Sequence, residues 1–222
     1  MKQYDAVIFD WDGTIMDSTQ SIVRAIQQAC ADMALPVPSQ ERAAWVIGLS
    51  LESALYHVAP DLPADQLSAF VARYKHHFFQ NDQTIPLFDG ITDVLSGLKQ
   101  ERVSLAVATG KGRVGLDRVL QASNLQHYFD MTRCADEAQG KPDPTMLFDI
   151  IHGLGLEPDR VVMVGDTTHD VAMAHNAGID SIAVSYGAHD VDTLSSSAPT
   201  VLVHSVEEMN DWLSGRLVPV VR

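Results

Sequence analysis

Residues 5–14 read DAVIFDWDGT, and this stretch decides the fold. Residues 6–9 form an apolar run that is too short for a helix and lacks polar alternation, which is typical of a strand buried on both faces of a parallel sheet. Asp10 and Asp12 follow directly, and Gly13 lets the chain turn. Because ligands of open parallel sheets bind at the carboxyl ends of the strands, these two carboxylates lie where a functional site is expected.

The same pattern of short, β-branched apolar runs recurs along the chain, at 105–108, 161–164, 182–184 and, more weakly, 201–203. Apolar residues at helical spacing lie between these runs, at 116–125, 146–154 and 171–177. Strands that alternate with helices predict an α/β domain with right-handed crossovers, a Rossmann-like parallel sheet core.

Residues 16–88 depart from this alternation. They hold no comparable strand-like run, but apolar residues recur at helical spacing and prolines punctuate the segment. The segment is too long for a crossover loop. We therefore predict four or five helices that form a small helical domain inserted at 16–88, with 1–15 and 89–222 forming the α/β core.

Composition narrows the class of protein. The 222 residues are 46% hydrophobic and 20% charged, as in an ordinary globular protein, and no run of about 18 apolar residues predicts a membrane span. The start of the chain lacks the apolar region of a secretory signal, and two cysteines in such a length predict no disulfide framework. We expect a cytoplasmic protein, and the net charge of −14 argues against nucleic-acid and membrane partners.

A second pair of acids follows the run at 161–164. Gly165 and Asp166 end that run, and Asp170 comes four residues later. Asp10, Asp12, Asp166 and Asp170 should therefore converge at one edge of the sheet, where a pair of like charges about 4 Å apart costs on the order of 4 kcal/mol. A cation must lie among them, and carboxylate ligands without histidine or cysteine favour Mg²⁺. The alternative is that these are ordinary strand-end and capping aspartates.

The run at 105–108 ends in Thr109-Gly110, where a hydroxyl and a free backbone N–H can bind an anionic oxygen. Residues 110–115 also match G-x-G-x-x-G, so a dinucleotide site is an alternative, with Asp130 as the acid that would bind the ribose. Lys141, in a proline-stiffened loop, can balance the carboxylates and hold phosphoryl oxygens.

Other reactive side chains have simpler interpretations. We expect His76-His77 to be a helix-surface pair, because adjacent residues on a helix face different directions. Cys30 is interpreted as a small buried apolar residue, and Cys134 lies near the site without an evident base. Trp11 is expected to line the site or to pack beneath the helical insert at 16–88.

Four ordered motifs resemble those of the haloacid dehalogenase superfamily, across residues 5 to about 205. They are Asp10-x-Asp12-Gly13-Thr14, Thr109-Gly110, Lys141-Pro142 and Gly165-Asp166-x-x-x-Asp170. The helical insert is similar to the α-helical C1-type cap of the superfamily. Within it, the chain looks most like the phosphoglycolate phosphatase and β-phosphoglucomutase branch.

The resemblance implies a Mg²⁺-dependent phosphatase that acts on a small phosphorylated metabolite, of the phosphoglycolate or sugar-phosphate type. Asp10 would be the nucleophile that forms an aspartyl-phosphate, and Asp12 the general acid and base. Mg²⁺ would be held by the Asp10 carboxylate, the Asp12 backbone carbonyl and the Asp166 carboxylate.

The remaining motif residues have supporting roles in this resemblance. Asp170 would act through water or by positioning Lys141. Thr109 and the Gly110 N–H would hold the phosphoryl group together with Lys141, so that positioning and charge stabilisation carry most of the catalysis. We expect the enzyme to be a monomer or a weak homodimer.

Departures from the family pattern separate the alternatives. Asp12 is the residue that dehalogenases of the superfamily lack, and Lys75 lies too late in the insert for the cap lysine of phosphonatases. A sugar-phosphate mutase shares all four core motifs and stays open, as does a non-catalytic phosphometabolite-binding protein. The cap loop 46–50 has no cation, so a second anion of the substrate would need Arg24, Arg42, Lys111 or Arg113.

Overall fold

A computed structural model describes residues 2–80 and 85–217. Six parallel strands form one sheet in the order β3-β2-β1-β4-β5-β6. The strands are β1 Ala6–Phe9, β2 Ser104–Thr109, β3 Met131–Cys134, β4 Val161–Gly165, β5 Asp180–Val184 and β6 Val201–Val203. The predicted Rossmann-like α/β class is therefore confirmed.

Helices connect the strands and cover both faces of the sheet. They are α1 Thr19–Asp32, α2 Gln40–Trp45, α3 Leu51–Val58, α4 Leu67–Phe79, α5 Ile91–Gln100, α6 Arg113–Ser123, α7 Thr145–Leu154, α8 Thr168–Ala177, α9 Val191–Ser196 and α10 Val206–Leu213. The alternation of side chains along β1 explains the two layers: Val7 and Phe9 pack with α5, α6 and α10, whereas Ala6 and Ile8 pack with α7 and α8.

The structure corrects one strand prediction. The dinucleotide alternative requires a strand that ends at Asp130, but Gln126–Tyr128 is a single 3₁₀ turn and β3 begins only at Met131. Asp130 therefore precedes β3 instead of ending it, and its carboxylate accepts the backbone N–H of Leu105. This position is at the wrong edge of the sheet for a ribose-binding acid, so the dinucleotide interpretation is wrong.

Helices α1–α4 pack around an apolar cluster of their own. Ile22, Ile26, Phe70 and Phe78 belong to this cluster, which is separate from the three clusters that contain strand residues. A fully buried Phe70 at its centre shows that these helices form more than a surface loop.

The chain leaves β1 for α1 and returns toward α5 through two adjacent segments. Met16 forms an antiparallel bridge with Leu87, and the N–H of Asp17 donates to the Pro86 carbonyl at 3.0 Å. Residues 81–84, within the expected cap, and residues 1 and 218–222, at the ends of the expected core, lie outside the described residues.

Candidate active site

Three adjacent strands bring the predicted motifs to one edge of the sheet. Asp10 follows β1, and its N–H donates to the Val164 carbonyl of β4 at 2.9 Å, so its backbone continues the ladder of the sheet. Asp166 follows β4 and Thr109 ends β2. Because β1 lies between β2 and β4, their carboxyl ends meet around Asp10.

Three carboxylates form the centre of the site. One oxygen from each of Asp10, Asp166 and Asp170 lies within 4.8 Å of the others. Each of the three residues is no more than 1% exposed. Buried like charges at this separation repel one another strongly, so the cluster requires positive charge.

Lys141 supplies one positive charge. Its Nζ lies 2.9 Å from Asp10 Oδ1 and 2.7 Å from Asp170 Oδ1, and the side chain is fully buried. Burial by itself lowers the pKa of Lys141, but the two adjacent carboxylates outweigh it and raise the pKa above its usual value. Lys141 is therefore an ammonium ion that ties two of the three acids together.

One lysine does not neutralise three carboxylates. Burial raises the pKa of Asp10 to about 7, against the attraction of Lys141 and with the repulsion of Asp170. Burial, with repulsion from Asp170 and Asp10, also raises the pKa of Asp166 well above its usual range. A second cation would reverse both shifts, because it stabilises the ionised forms.

The donor set fits a hard divalent metal. Asp10 Oδ2 is buried and has no hydrogen-bond partner among the described residues, so it offers a ready ligand atom. All three candidate ligand groups are carboxylates, the type that Mg²⁺ and related ions prefer. The cluster can thus hold one divalent metal ion.

Local hydrogen bonds fix Asp166. It accepts the Thr14 hydroxyl at 2.9 Å and the Ala188 N–H at 2.7 Å. Gly13 has φ +78°, and a Cβ at this position would overlap the Asp166 carboxylate. The glycine after Asp12 is therefore needed both for the left-handed turn and for the approach of Asp166.

Asp170 is fixed by the start of α8. Thr167 and Asp170 form a reciprocal capping box, in which the Asp170 carboxylate accepts the Thr167 N–H at 3.0 Å. The other oxygen of Asp170 accepts Lys141. Asp170 therefore has two roles in the structure: it binds Lys141, and it belongs to the acid cluster.

Asp12 has different partners from those of the acid cluster. Its two carboxylate oxygens accept the Lys111 ammonium at 2.9 and 2.8 Å, and Oδ1 also accepts the Ser18 hydroxyl at 2.6 Å. Lys111 and Ser18 were not predicted as partners of Asp12. The signal available in the sequence was the position of Lys111 directly after the Thr109-Gly110 strand end.

Thr109 and Gly110 line the same cavity as Asp10 and Asp12. The Thr109 hydroxyl accepts the Lys111 N–H at 3.2 Å. A Cβ at Gly110 would collide with the carbonyl oxygens of Gly48 and Leu49, so the cap loop rests directly on this backbone.

This cavity has a volume of about 490 Å³ and lies between the sheet edge and helices α1, α3 and α4. Its inner end is formed by Asp10, Asp12 and Thr109, and its outer walls by cap and α6 side chains. A volume of this size is typical of a site for a small molecule.

Two histidines connect the end of α2 to the part of the chain that follows β4 and β5. His169 Nε2 and His189 Nε2 lie 2.8 and 3.1 Å from the Trp45 carbonyl oxygen, so each donates to the same acceptor at the end of α2. His189 Nδ1 accepts the Thr168 N–H at 3.1 Å, which makes His189 a neutral tautomer. Burial lowers the pKa of both histidines. No local pattern in the sequence indicates this contact.

Trp11 does not line the site, which was one of the two positions expected for it. Its side chain is fully buried in the core beside the sheet, with its ring 6.3 Å from that of Phe129, and it does not line the cavity. Cys30 is buried in α1, as predicted, and both cysteines are free. Burial raises the pKa of Cys134 to about 12, which makes it a poor nucleophile.

The four basic residues considered as partners for a second anionic group of the substrate lie in different places. Arg42 donates to the His57 carbonyl, and Arg113 is paired with Glu137. Arg24 is exposed on α1. Of the four candidates, Lys111 is the one that lines the cavity.

The family model described as "Haloacid dehalogenase-like hydrolase" matches residues 7–184. The chain belongs to this family. This match confirms the predicted family and the prediction that the chain is an enzyme of the hydrolase class.

Two named relatives are similar in sequence to this haloacid dehalogenase-like hydrolase over most of its length. "Probable phosphatase IndB" of Dickeya dadantii is 36% identical over 210 residues, covering 91% of this chain and 90% of that protein. "Phosphoglycolate phosphatase" of Aliivibrio fischeri is 31% identical over 205 residues, covering 88% and 90%.

The fold also matches solved structures. A "predicted phosphatase from Clostridium acetobutylicum" superposes with a TM-score of 0.84 at 24% identity, over 96% of this chain and 99% of that one.

Within the described part of this hydrolase, no helix is long and apolar enough to cross a membrane.

Proposed function

We propose that the chain is a Mg²⁺-dependent phosphatase that hydrolyses a small phosphorylated metabolite through an aspartyl-phosphate intermediate. The names of the relatives from Dickeya dadantii and Aliivibrio fischeri support a phosphatase. The site residues of the proposal are Asp10, Asp12, Lys141, Thr109 and Gly110, with the metal at Asp10, Asp12 and Asp166 and with Asp170 beside it.

The asymmetry of Asp10 carries the proposal. Oδ1 accepts the Trp11 N–H at 2.6 Å and the Lys141 ammonium at 2.9 Å, which fixes the carboxylate in one orientation. Oδ2 has no hydrogen-bond partner within the described chain. A carboxylate fixed in this way can bind the metal through its open oxygen while its fixed orientation presents the group to phosphorus.

The first chemical step uses Asp10 and Asp12. An Asp10 oxygen attacks phosphorus, the bond from phosphorus to the ester oxygen breaks, and Asp12, which in this step carries a proton in place of its ion pair with Lys111, gives that proton to the departing alkoxide. The hydroxyl of Thr109 and the N–H of Gly110 bind phosphoryl oxygens, and Lys141 offsets their charge. The products of this step are an alcohol, the aspartyl-phosphate and ionised Asp12.

The second step regenerates the enzyme. Asp12, now a carboxylate, removes a proton from water as the water oxygen attacks phosphorus. The bond between phosphorus and the Asp10 oxygen breaks, which releases inorganic phosphate and returns Asp10 to its ionised form. The same carboxyl group serves both steps because the first step leaves it in the state that the second step needs.

Mg²⁺ would be held by the carboxylates of Asp10 and Asp166 and by the backbone carbonyl of Asp12. Asp170 would hold Lys141 or a metal-bound water. When bound, the ion reduces the repulsion between the nucleophile and the anionic phosphoryl group. The raised pKa values of Asp10 and Asp166 support a cation at this place.

We also propose that 16–88 acts as a cap domain on a core of 1–15 and 89–222. The separate apolar cluster of α1–α4 and the paired crossing segments at Met16 and Leu87 support this division. A lid joined by two segments can exclude water during phosphoryl transfer. Cytoplasmic location and a monomer or weak homodimer complete the proposal, and the net charge of −14 supports the absence of nucleic-acid partners.

Trapping the intermediate tests this function. The purified enzyme is mixed with Mg²⁺ and p-nitrophenyl phosphate, quenched in acid and reduced with borohydride, which converts an aspartyl-phosphate to homoserine. Peptide mass spectrometry should find the modification at Asp10, and Asp192→Asn, a change at an exposed position on α9, should leave it in place. Turnover without modification of Asp10 would contradict the covalent mechanism.

A further inference from the structure

The outer part of the active-site cavity is mostly hydrocarbon. Beyond Asp10, Asp12 and Thr109, the walls come from α1, the 46–50 loop, α3, α4 and α6. The apolar residues that line it include Ile22, Ile26, Leu49, Phe78, Phe79 and Val119. These side chains surround the region that the leaving group of a phosphate ester would occupy.

Aromatic rings form a continuous wall on the cap side. The rings of Tyr74 and Phe78 are stacked with centroids 5.9 Å apart, and Phe79 meets Phe78 edge to face at the same separation. Such surfaces contribute binding energy through buried area and offer few hydrogen bonds. The wall is thus suited to hydrocarbon rather than to a polyhydroxylated sugar.

The charge of the lining disfavours a second anion. The acidic residues Asp10, Asp12, Glu52 and Asp136 line the cavity, against the basic residues Lys75 and Lys111. Lys111 already binds both oxygens of Asp12 and lies 4.9 Å from the centre of the Phe78 ring. A substrate carboxylate that took Lys111 would leave Asp12 with the Ser18 hydroxyl as its remaining partner among the described residues.

Val114 continues the apolar wall on the core side. It lies in the first turn of α6, lines the cavity and is 81% exposed. An exposed valine at the mouth of an apolar cavity can be covered by a ligand without any rearrangement of the core.

We propose that the substrate is a phosphate monoester of a hydrocarbon-rich alcohol, aromatic or branched aliphatic, rather than a glycolate or hexose ester. This inference rests on the proposed phosphatase function and names the substrate class of the same site. The phosphoryl group occupies the polar inner end, and the leaving group lies between the aromatic wall and Val114. A glycolate ester would leave most of the 490 Å³ empty and would place its carboxylate in a cavity lined by four acidic and two basic residues.

A series of n-alkyl phosphates tests the inference, because the leaving-group reactivity stays nearly constant while the apolar length grows. We expect kcat/KM to rise from ethyl to hexyl phosphate by up to about fourfold per methylene, and to exceed the values for phosphoglycolate and glucose phosphates. A flat series, or a higher kcat/KM for phosphoglycolate or a hexose phosphate, would overturn the substrate class.

Two matched variants locate the effect. Val114→Ser should lower the ratio of kcat/KM for hexyl to that for ethyl phosphate by about threefold, because it removes apolar contact at the cavity mouth. Val191→Ser, at an exposed valine on α9, should leave that ratio unchanged. An unchanged ratio in Val114→Ser would contradict the assigned wall.

Hydrolysis of p-nitrophenyl phosphate distinguishes an error in the substrate class from an error in the proposed phosphatase function. If this ester is hydrolysed with Mg²⁺ while phosphoglycolate is preferred among the alkyl esters, the phosphatase function stands and the substrate class falls. If no ester is hydrolysed, the proposed function itself is wrong, and the inference falls with it.

Discussion

Lys111 Nζ donates to both carboxylate oxygens of Asp12, at 2.9 and 2.8 Å, across 99 residues of sequence. The side chains are 11% and 10% exposed, so the pair is largely removed from water. It joins the turn after β1 to the turn after β2, the two segments that we propose hold the acid and the phosphoryl group. Its contribution to folding can be measured separately from catalysis.

Lys111→Met should lower the free energy of unfolding by about 2 kcal/mol, because it leaves a buried carboxylate without its cation. Asp12→Asn in the same chain should recover most of that loss, since the charge is then gone. Urea unfolding of the two single variants and the double variant gives the coupling energy. If the losses of the single variants simply add, the ion pair seen at these distances does not contribute to stability.

Asp10→Asn should reduce kcat by more than about a thousandfold, because the amide retains the size of the side chain but is a poor nucleophile. The free energy of unfolding of the metal-free enzyme should stay the same or rise, since burial already penalises the ionised carboxylate. Steady-state kinetics and denaturant unfolding check both results. Retention of a tenth of the wild-type kcat would refute the assigned role.

Removal of the metal with EDTA should abolish activity, and Mg²⁺ should restore it, whereas Ca²⁺ should substitute poorly because it relaxes the octahedral geometry. Calorimetric titration should show weaker Mg²⁺ binding to Asp166→Asn, which loses a carboxylate ligand. Asp12→Asn should keep its Mg²⁺ affinity, because its proposed ligand is the backbone carbonyl. Full activity in EDTA, with no metal by elemental analysis, would exclude the proposed ion.

His169 and His189 should contribute stability that is lost as the pH drops below about 6.5, the usual pKa of histidine, and this contribution is opposite in sign to that of Asp10 and Asp166, whose pKa values burial raises. Burial lowers the pKa of His169 and His189 in the folded chain. At pH values below 6.5 the unfolded chain therefore binds more protons at these two residues than the folded chain does, which favours unfolding. The double variant His169→Gln, His189→Gln should therefore show a smaller slope than the wild type between pH 5 and 7, by at most about 1.4 kcal/mol per pH unit for each histidine. His127→Gln, at an exposed position, should retain the slope. Equal slopes in all three proteins would show that the junction does not exclude protons.

Gly110→Ala should lower kcat/KM by about a hundredfold, because the new Cβ would collide with the carbonyl oxygens of Gly48 and Leu49 and displace the cap loop. Gly97→Ala is the matched control, since a Cβ there meets nothing within 4 Å. It should keep wild-type kinetics and gain about 0.5–1 kcal/mol in unfolding free energy, as expected for this change within a helix. Normal activity of Gly110→Ala would show that the cap loop can shift without cost.

The sequence was sufficient where local pattern and topology decide position. Asp10, Asp166 and Thr109 could be brought together because each follows a recognisable buried strand and parallel strands share an edge. β3 escaped prediction because three of its four residues, Met131 to Arg133, are only partly buried and one of them is an arginine. Its strand state depends on pairing with β2 and not on its own composition.

Contacts between cap and core could not be predicted from the same patterns. The bonds from His169 and His189 to the Trp45 carbonyl depend on how α2 lies against the sheet edge, which no local periodicity specifies. The burial of Trp11 away from the cavity likewise depends on the direction of one turn. Such features follow from tertiary packing across 124 and 144 residues of sequence in the case of the histidines.

The paired crossing segments at Met16 and Leu87 have an evolutionary consequence. Because the chain departs and returns at neighbouring positions bonded to each other, everything between them can lengthen, shorten or be exchanged without shifting the register of any strand. Selection can therefore remodel the helical insert as a module while the acid cluster stays under a separate constraint. Recombination at these two points is a short route by which one hydrolytic chemistry could be distributed among many alcohols.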